Sequence, residues 1–197
     1  VGGEGKTFTT INLASIFALA GHKTLIIGAD LRKPKLHDDF NINQTKGLSS
    51  YLINKSTLSD IIEKTEVKNL DIIGSGPTPP NPAELLDSIK MQELVIELNK
   101  KYDYVIIDTP PIGLVTDGVL LMQHADVNLY VVRHGYSNSK ALSMINNLYE
   151  QKQVNKVQII INDFKSENHS YGYGYGYGYG YGYGYGSGGY GYYENEK

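Results

Sequence analysis

GGEGKT, residues 2–7, decides how this chain is read. It is the back half of the phosphate-binding pattern G-x-x-x-x-G-K-[ST]. Its glycines let successive backbone N–H groups turn inward around phosphate oxygens. A helix starting near Thr7 would add its unpaired N–H groups and the positive end of its dipole. Gly2, Gly3, Glu4 and Gly5 are therefore the expected phosphate cradle. Lys6 is expected to reach the terminal phosphates, and the Thr7 hydroxyl to hold Mg2+. Half a motif alone also fits a glycine-rich turn with a surface lysine. A P-loop normally follows a buried strand, and the pattern's first glycine would precede Val1. The expectation is a natural protein that extends upstream, with the first strand outside these 197 residues.

Downstream of the loop, TFTTINLASIFALA (7–20) carries too many apolar residues for a single exposed stripe and reads as a mostly buried helix. TLIIGA (24–29) reads as a central parallel strand. LRKPKLHDDF is polar, holds Pro34, and reads as loop. Short helices are expected at 48–54 and 57–64, and a strand at 70–73. After the proline-rich GSGPTPPNP, one helix is expected from Pro82 through AELLDSIKMQELVIELNK. YDYVIID (102–108) reads as the clearest buried strand, followed by a helix at 115–124, a strand at 127–132, a helix over SKALSMINNLYEQK and a last strand at 157–162. Apolar strands alternating with helices predict an α/β fold of the P-loop NTPase type, a mainly parallel sheet flanked by helices in three layers.

Such folds bind ligands beyond the carboxyl ends of their strands. Asp30, Asp108 and Asn162 each sit there. Asp108 ends the apolar VIID and is expected to hold Mg2+ directly or through water. Asp30 is a second candidate for metal and phosphates, or else a turn residue. Arg32 and Lys33 add positive charge near the nucleotide or form a surface patch. Asp117, in VTDG, is a helix cap or a magnesium-side residue. The five histidines show no paired ligand spacing.

Lys plus Arg number 18 and Asp plus Glu 21, a formal net charge of -3 that argues against bulk nucleic-acid binding. There is no Cys, which excludes disulfides and thiolate-bound metals. No apolar run is long enough to span a bilayer, and no signal peptide is visible. Composition changes at about Ser166. Residues 1–166 read as one domain and 167–197 as a disordered tail, with nothing aliphatic to bury and glycine costly to order. The tail holds Tyr171, Tyr173, Tyr175, Tyr177, Tyr179, Tyr181, Tyr183, Tyr185, Tyr190, Tyr192 and Tyr193.

GGEGKTFTTINLA, TLIIGADLRKPKL, GPTPPNPAELL, YDYVIIDTPPIGLVTDG and the tyrosine-rich end together resemble the cytoplasmic kinase domain of bacterial protein-tyrosine kinases of exopolysaccharide and capsule export. The resemblance covers nearly the whole chain. It implies ATP and Mg2+ as cofactors, with Lys6 and Thr7 as Walker A residues. It implies Asp30 as an acid that binds magnesium and activates the tyrosine hydroxyl, and Asp108 as the Walker B acid. The tail tyrosines become phosphoacceptors, phosphorylated between neighbouring subunits of a ring. Implied partners are a membrane-anchored polysaccharide co-polymerase region, in cis or separate, and a cognate tyrosine phosphatase, with no nucleic acid. The implied location is the cytoplasmic face of the bacterial inner membrane. One departure stands out. The family pattern has two acids, D-x-D, where this chain reads GAD, with Gly28 in the first place. Related cell-division and plasmid-partition ATPases carry a lysine where Val1 stands. Two alternatives from other classes are a nucleotide-dependent switch recruiting partners through its aromatic tail, and a pseudo-kinase.

Overall fold

The computed structural model describes residues 2–40, 42, 44–112 and 117–165. The chain divides into a compact unit, Val1–Lys165, and a second unit, Ser166–Lys197. The second unit lies outside the described residues, and with it the tail tyrosines and the expectation of disorder.

Helix α1 (Lys6–Leu19) leads into β1 (Thr24–Gly28), every residue of which is buried. There follow α2 (Leu36–Phe40), α3 (Leu48–Leu52), α4 (Leu58–Ile61), β2 (Ile62–Lys64) and β3 (Leu70–Ile73). The second half holds α5 (Pro82–Leu86), α6 (Ile89–Asn99), β4 (Tyr104–Asp108), α7 (Asp117–Met122), β5 (Asn128–Arg133), α8 (Ser139–Glu150) and β6 (Val157–Asn162). One sheet has the order β2-β3-β1-β4, and a second pairs β5 with β6. β1 runs parallel to β3 and β4, β5 parallel to β6, and only the edge strand β2 is antiparallel.

Alternation along β1 builds the layers. Leu25 and Ile27 face a core with Leu48, Leu86, Met91, Leu94 and Leu98, from the helices on one side. Ile26 faces the other side, against Ala14 and Ala18 of α1 and Leu36 of α2. This is the expected three-layer P-loop architecture, with the sheet divided in two.

Several local expectations are corrected. α1 is not mostly buried: only Thr10, Ala14 and Ala18 are, and Ile16 and Leu19 are 61% and 77% exposed. Small residues at that spacing bring the helix close to the sheet, which leaves the larger ones outside the contact. The stretch read as loop contains α2, because Leu36 supplies an apolar anchor that is 2% exposed. The expected helix at 57–64 ends early, and Ile62–Lys64 form β2. The long helix after Pro82 breaks at Asp87–Ser88, where the Ser88 hydroxyl accepts from Met91 N–H at 3.2 Å and starts α6 afresh. β4 is not a fully buried strand either, since among its residues only Asp108 is buried. Its free edge faces a cavity of about 650 Å3, walled across by β5 and lined by Leu13, Phe17, Ile106, Ile107, Leu129 and Val131.

Gly28 has a packing reason to lack a side chain. A Cβ there would lie 3.0 Å from Ser75 Oγ and 3.1 Å from Leu36 Cδ1. Ser75 is itself buried and donates to the Gly28 carbonyl at 2.9 Å. The space a first acid would need is thus taken by a serine and a leucine. Gly28→Asp is expected to cost roughly 2–4 kcal/mol through overpacking and an unpaired buried charge. Thermal unfolding of the variant checks this; a melting temperature at or above wild type would show that the strand end can open.

Candidate functional site: a phosphate loop and two acids at one sheet rim

The rim is built by strand register. Gly28 pairs with Asp108 across β1 and β4, so both strands end level and their following loops share one edge. α1 begins beside them. Its N-cap, Gly5, has φ 91° and no side-chain cap, and no acid stands in the first turn. No side chain of the helix itself compensates its positive end, an arrangement that favours binding an anion.

The loop before α1 is held by residues at, or just beyond, the ends of β5 and β6. Asn162 Nδ2 donates to the Glu4 carbonyl at 3.0 Å, and Ser137 Oγ to Glu4 Oε1 at 2.8 Å. Tyr136 Oη donates to the Gly2 carbonyl at 2.9 Å, and Arg133 Nη1 to that of Gly3 at 3.2 Å. Asn162 belongs to the set expected from sequence. Arg133, Tyr136 and Ser137 do not. The signal that could have found them is their place at or just beyond the carboxyl end of β5, where α/β folds gather ligand loops.

Gly5 tolerates no substitute for two reasons. Its φ is in the left-handed region, and a Cβ would run into the Asn162 amide. Gly5→Ala is expected to cost about 1–3 kcal/mol and to misplace the loop. Chemical denaturation measures the first effect and nucleotide binding the second. If the variant equals wild type in both, the loop is looser than its geometry.

Thr7 and Asp108 meet at the centre. Thr7 Oγ1 donates to Asp108 Oδ2 at 2.9 Å, across 101 residues of sequence. Asp108 is 6% exposed. Burial pushes its carboxyl up to about 6, against the lowering effects of the Thr7 and Thr10 hydrogen bonds and the Lys6 charge; Asp30 adds to the rise. Lys6 Nζ lies 3.7 Å from Glu4 Oε2. Asp30 sits on the same rim, and its Oδ1 accepts the backbone N–H groups of Arg32 at 3.2 Å and Lys33 at 2.9 Å. Arg32 turns toward Asp117, with Nε 2.7 Å from Oδ2 and Nη2 3.1 Å from Oδ1.

The donor set suits a hard cation shared with phosphate. It comprises a hydroxyl, a costly buried carboxylate and a second carboxylate close enough to be felt electrostatically. Among the described residues no cluster of three or more His, Cys, Asp or Glu forms a cage for a metal on its own. Phosphate oxygens would have to complete the coordination, as magnesium sites for nucleotides normally require.

A family model described as an AAA domain matches residues 1–163. The tyrosine-protein kinase YwqD of Bacillus subtilis is 42% identical over 168 residues, spanning 85% of this chain and 71% of that protein. The chain belongs to the bacterial tyrosine-protein kinases. A second tyrosine-protein kinase, ptk of Acinetobacter johnsonii, is 42% identical over 167 residues, but these make up only 23% of its length. Among solved structures, the kinase domain of Escherichia coli tyrosine kinase ETK superposes with a TM-score of 0.80 at 36% identity, covering 90% of this chain and 70% of that one. The chain therefore has the P-loop NTPase-like fold. No helix among the described residues is long and apolar enough to cross a membrane.

Proposed function

We propose that this chain transfers the γ-phosphoryl group of ATP to tyrosines of its own C-terminal segment. The Thr7–Asp108 hydrogen bond at the uncapped start of α1 carries the reading, because it puts both metal-side groups at a phosphate cradle. Lys6 and the N–H groups of residues 2–7 hold and neutralise the phosphates. Thr7, Asp108 and Asp30 hold Mg2+, which supplies charge neutralisation at the developing transition state. A tail phenol oxygen bonds to the γ-phosphorus, the bond to the ADP oxygen breaks, and Asp30 takes the phenol proton. A free phenol has a pKa near 10, so Asp30 is needed while the bond forms.

The acceptors are Tyr171 through Tyr185 at every second position, with Tyr190, Tyr192 and Tyr193. Their glycine spacing offers no steric block to any of several registers. Transfer runs in trans, within a ring of this chain at the cytoplasmic side of the inner membrane. A membrane-anchored co-polymerase region and a phosphatase are its partners in controlling polysaccharide export. Each phosphate adds about -1.5 to -2 charge, so a phosphorylated tail is repelled from an acidic neighbouring site and the ring opens.

Incubation with γ-labelled ATP and Mg2+, followed by phosphoamino-acid analysis, tests this. Label on tail tyrosine is the expected result. Release of free phosphate with unlabelled tyrosine would favour a nucleotide switch, and the absence of both products would overturn the reading.

A further inference from the structure

Among the described residues, Arg32 and Asp117 form the one ion pair at this rim that uses a fully buried carboxylate: Asp117 is 0% exposed and Arg32 42%. Two N–H donors meet two oxygens, a fork that fixes angle as well as distance. Burying a carboxylate carries a desolvation cost that an apolar contact would avoid, so the pair is a poor choice for cohesion alone. What it joins explains it. On one side, the backbone N–H of Arg32 itself donates to Asp30 Oδ1. On the other, Asp117 opens α7, and the next residue, Gly118, is pressed on the loop that continues from Asp108. A Cβ on Gly118 would lie 3.0 Å from the Pro110 carbonyl oxygen.

We propose that the Arg32–Asp117 pair is a positioning pair. It sets the spacing between the carboxylates of Asp30 and Asp108, and through that spacing the magnesium affinity of the nucleotide site. The role rests on the kinase reading above. Neither side chain needs to touch nucleotide or tyrosine; the guanidinium is committed to Asp117 and acts through the two loops.

The test compares the 197-residue chain with Arg32→Lys, which keeps the charge but loses the fork, and with Arg32→Met/Asp117→Leu, which replaces the pair by apolar volume. A fluorescent ATP analogue is titrated at graded Mg2+ and without metal, with thermal unfolding alongside. Groups that orient metal ligands are worth about 10–100-fold in metal affinity. The Mg2+ needed for half-maximal binding should therefore rise about tenfold or more in both variants, while metal-free nucleotide affinity stays within about twofold. The double variant should melt at or above wild type, since apolar pairs replace buried ion pairs without loss. A wild-type Mg2+ requirement in either folded variant overturns the proposal. A wild-type chain whose nucleotide binding ignores Mg2+ overturns the kinase reading itself, and the positioning role with it.

Discussion

Replacing Lys6 by alanine should lower phosphate transfer to the tail by roughly a hundred- to a thousandfold, the usual loss when one preorganised electrostatic contact to the transition state is removed. Lys6 stands at the first turn of α1, directly after the left-handed Gly5, and in the proposed function its ammonium holds the phosphates. Its side chain is 23% exposed and its ion pair with Glu4 is long, at 3.7 Å. A partly solvated contact of that length contributes little to folding on its own. The measurement is phosphotyrosine formed per minute, with thermal unfolding as control. Unchanged transfer by Lys6→Ala would remove the P-loop from the chemistry and leave the tail without a phosphoryl donor at this site.

Asp108→Asn is the second large effect, and it works in opposite directions on activity and stability. The buried carboxylate is costly before metal arrives, which is why its pKa is pushed up to about 6 from 3.8. The sign follows from proton binding. Between about pH 4 and pH 6 the folded protein holds a proton on Asp108 that the unfolded chain has released. Stability of the metal-free protein therefore falls as pH rises through that window, by roughly 2–3 kcal/mol from this group. Asparagine accepts the Thr7 hydrogen bond without the charge. The metal-free variant should gain much of that amount at pH 7 and lose this part of its pH dependence. Its Mg2+-dependent transfer should drop by roughly a hundredfold or more, because in the proposed function the carboxylate is the part that would meet the cation. Denaturant unfolding at pH 4 and pH 7, with and without Mg2+ and nucleotide, reads both effects. A variant no more stable than wild type at pH 7 would mean that Asp108 carries no burial cost.

That these residues gather at one rim was largely legible in the chain. GGEGKT and VIID are local patterns with a physical reason at each position, and the strand order brings them to one rim. Asp30 was legible because it follows an apolar strand. The environment of Gly28 was not: Ser75 and Leu36 fill its space from 47 and 8 residues away, and nothing in GAD announces that. Nor was Arg32 assignable. Its charge suggested phosphate, and only tertiary structure turns it to Asp117. The exposed faces of α1 and β4 were misjudged for a related reason, because apolar content reports a preference for burial and not which neighbour is present to provide it. α2 was missed because five residues are too short for periodicity to register, and Pro34 two residues earlier argued for loop.

The clasp formed by Arg133, Tyr136, Ser137 and Asn162 has a consequence for motion. Among the described residues no strand ladder joins the four-stranded sheet to β5 and β6, yet four hydrogen bonds run from the ends of that pair onto residues 2–4. The segment proposed to cradle phosphate is thus also a strap between the two sheets. Whatever immobilises it damps their breathing, so a bound triphosphate would slow deuterium uptake in β5 and β6 at amides that never touch it.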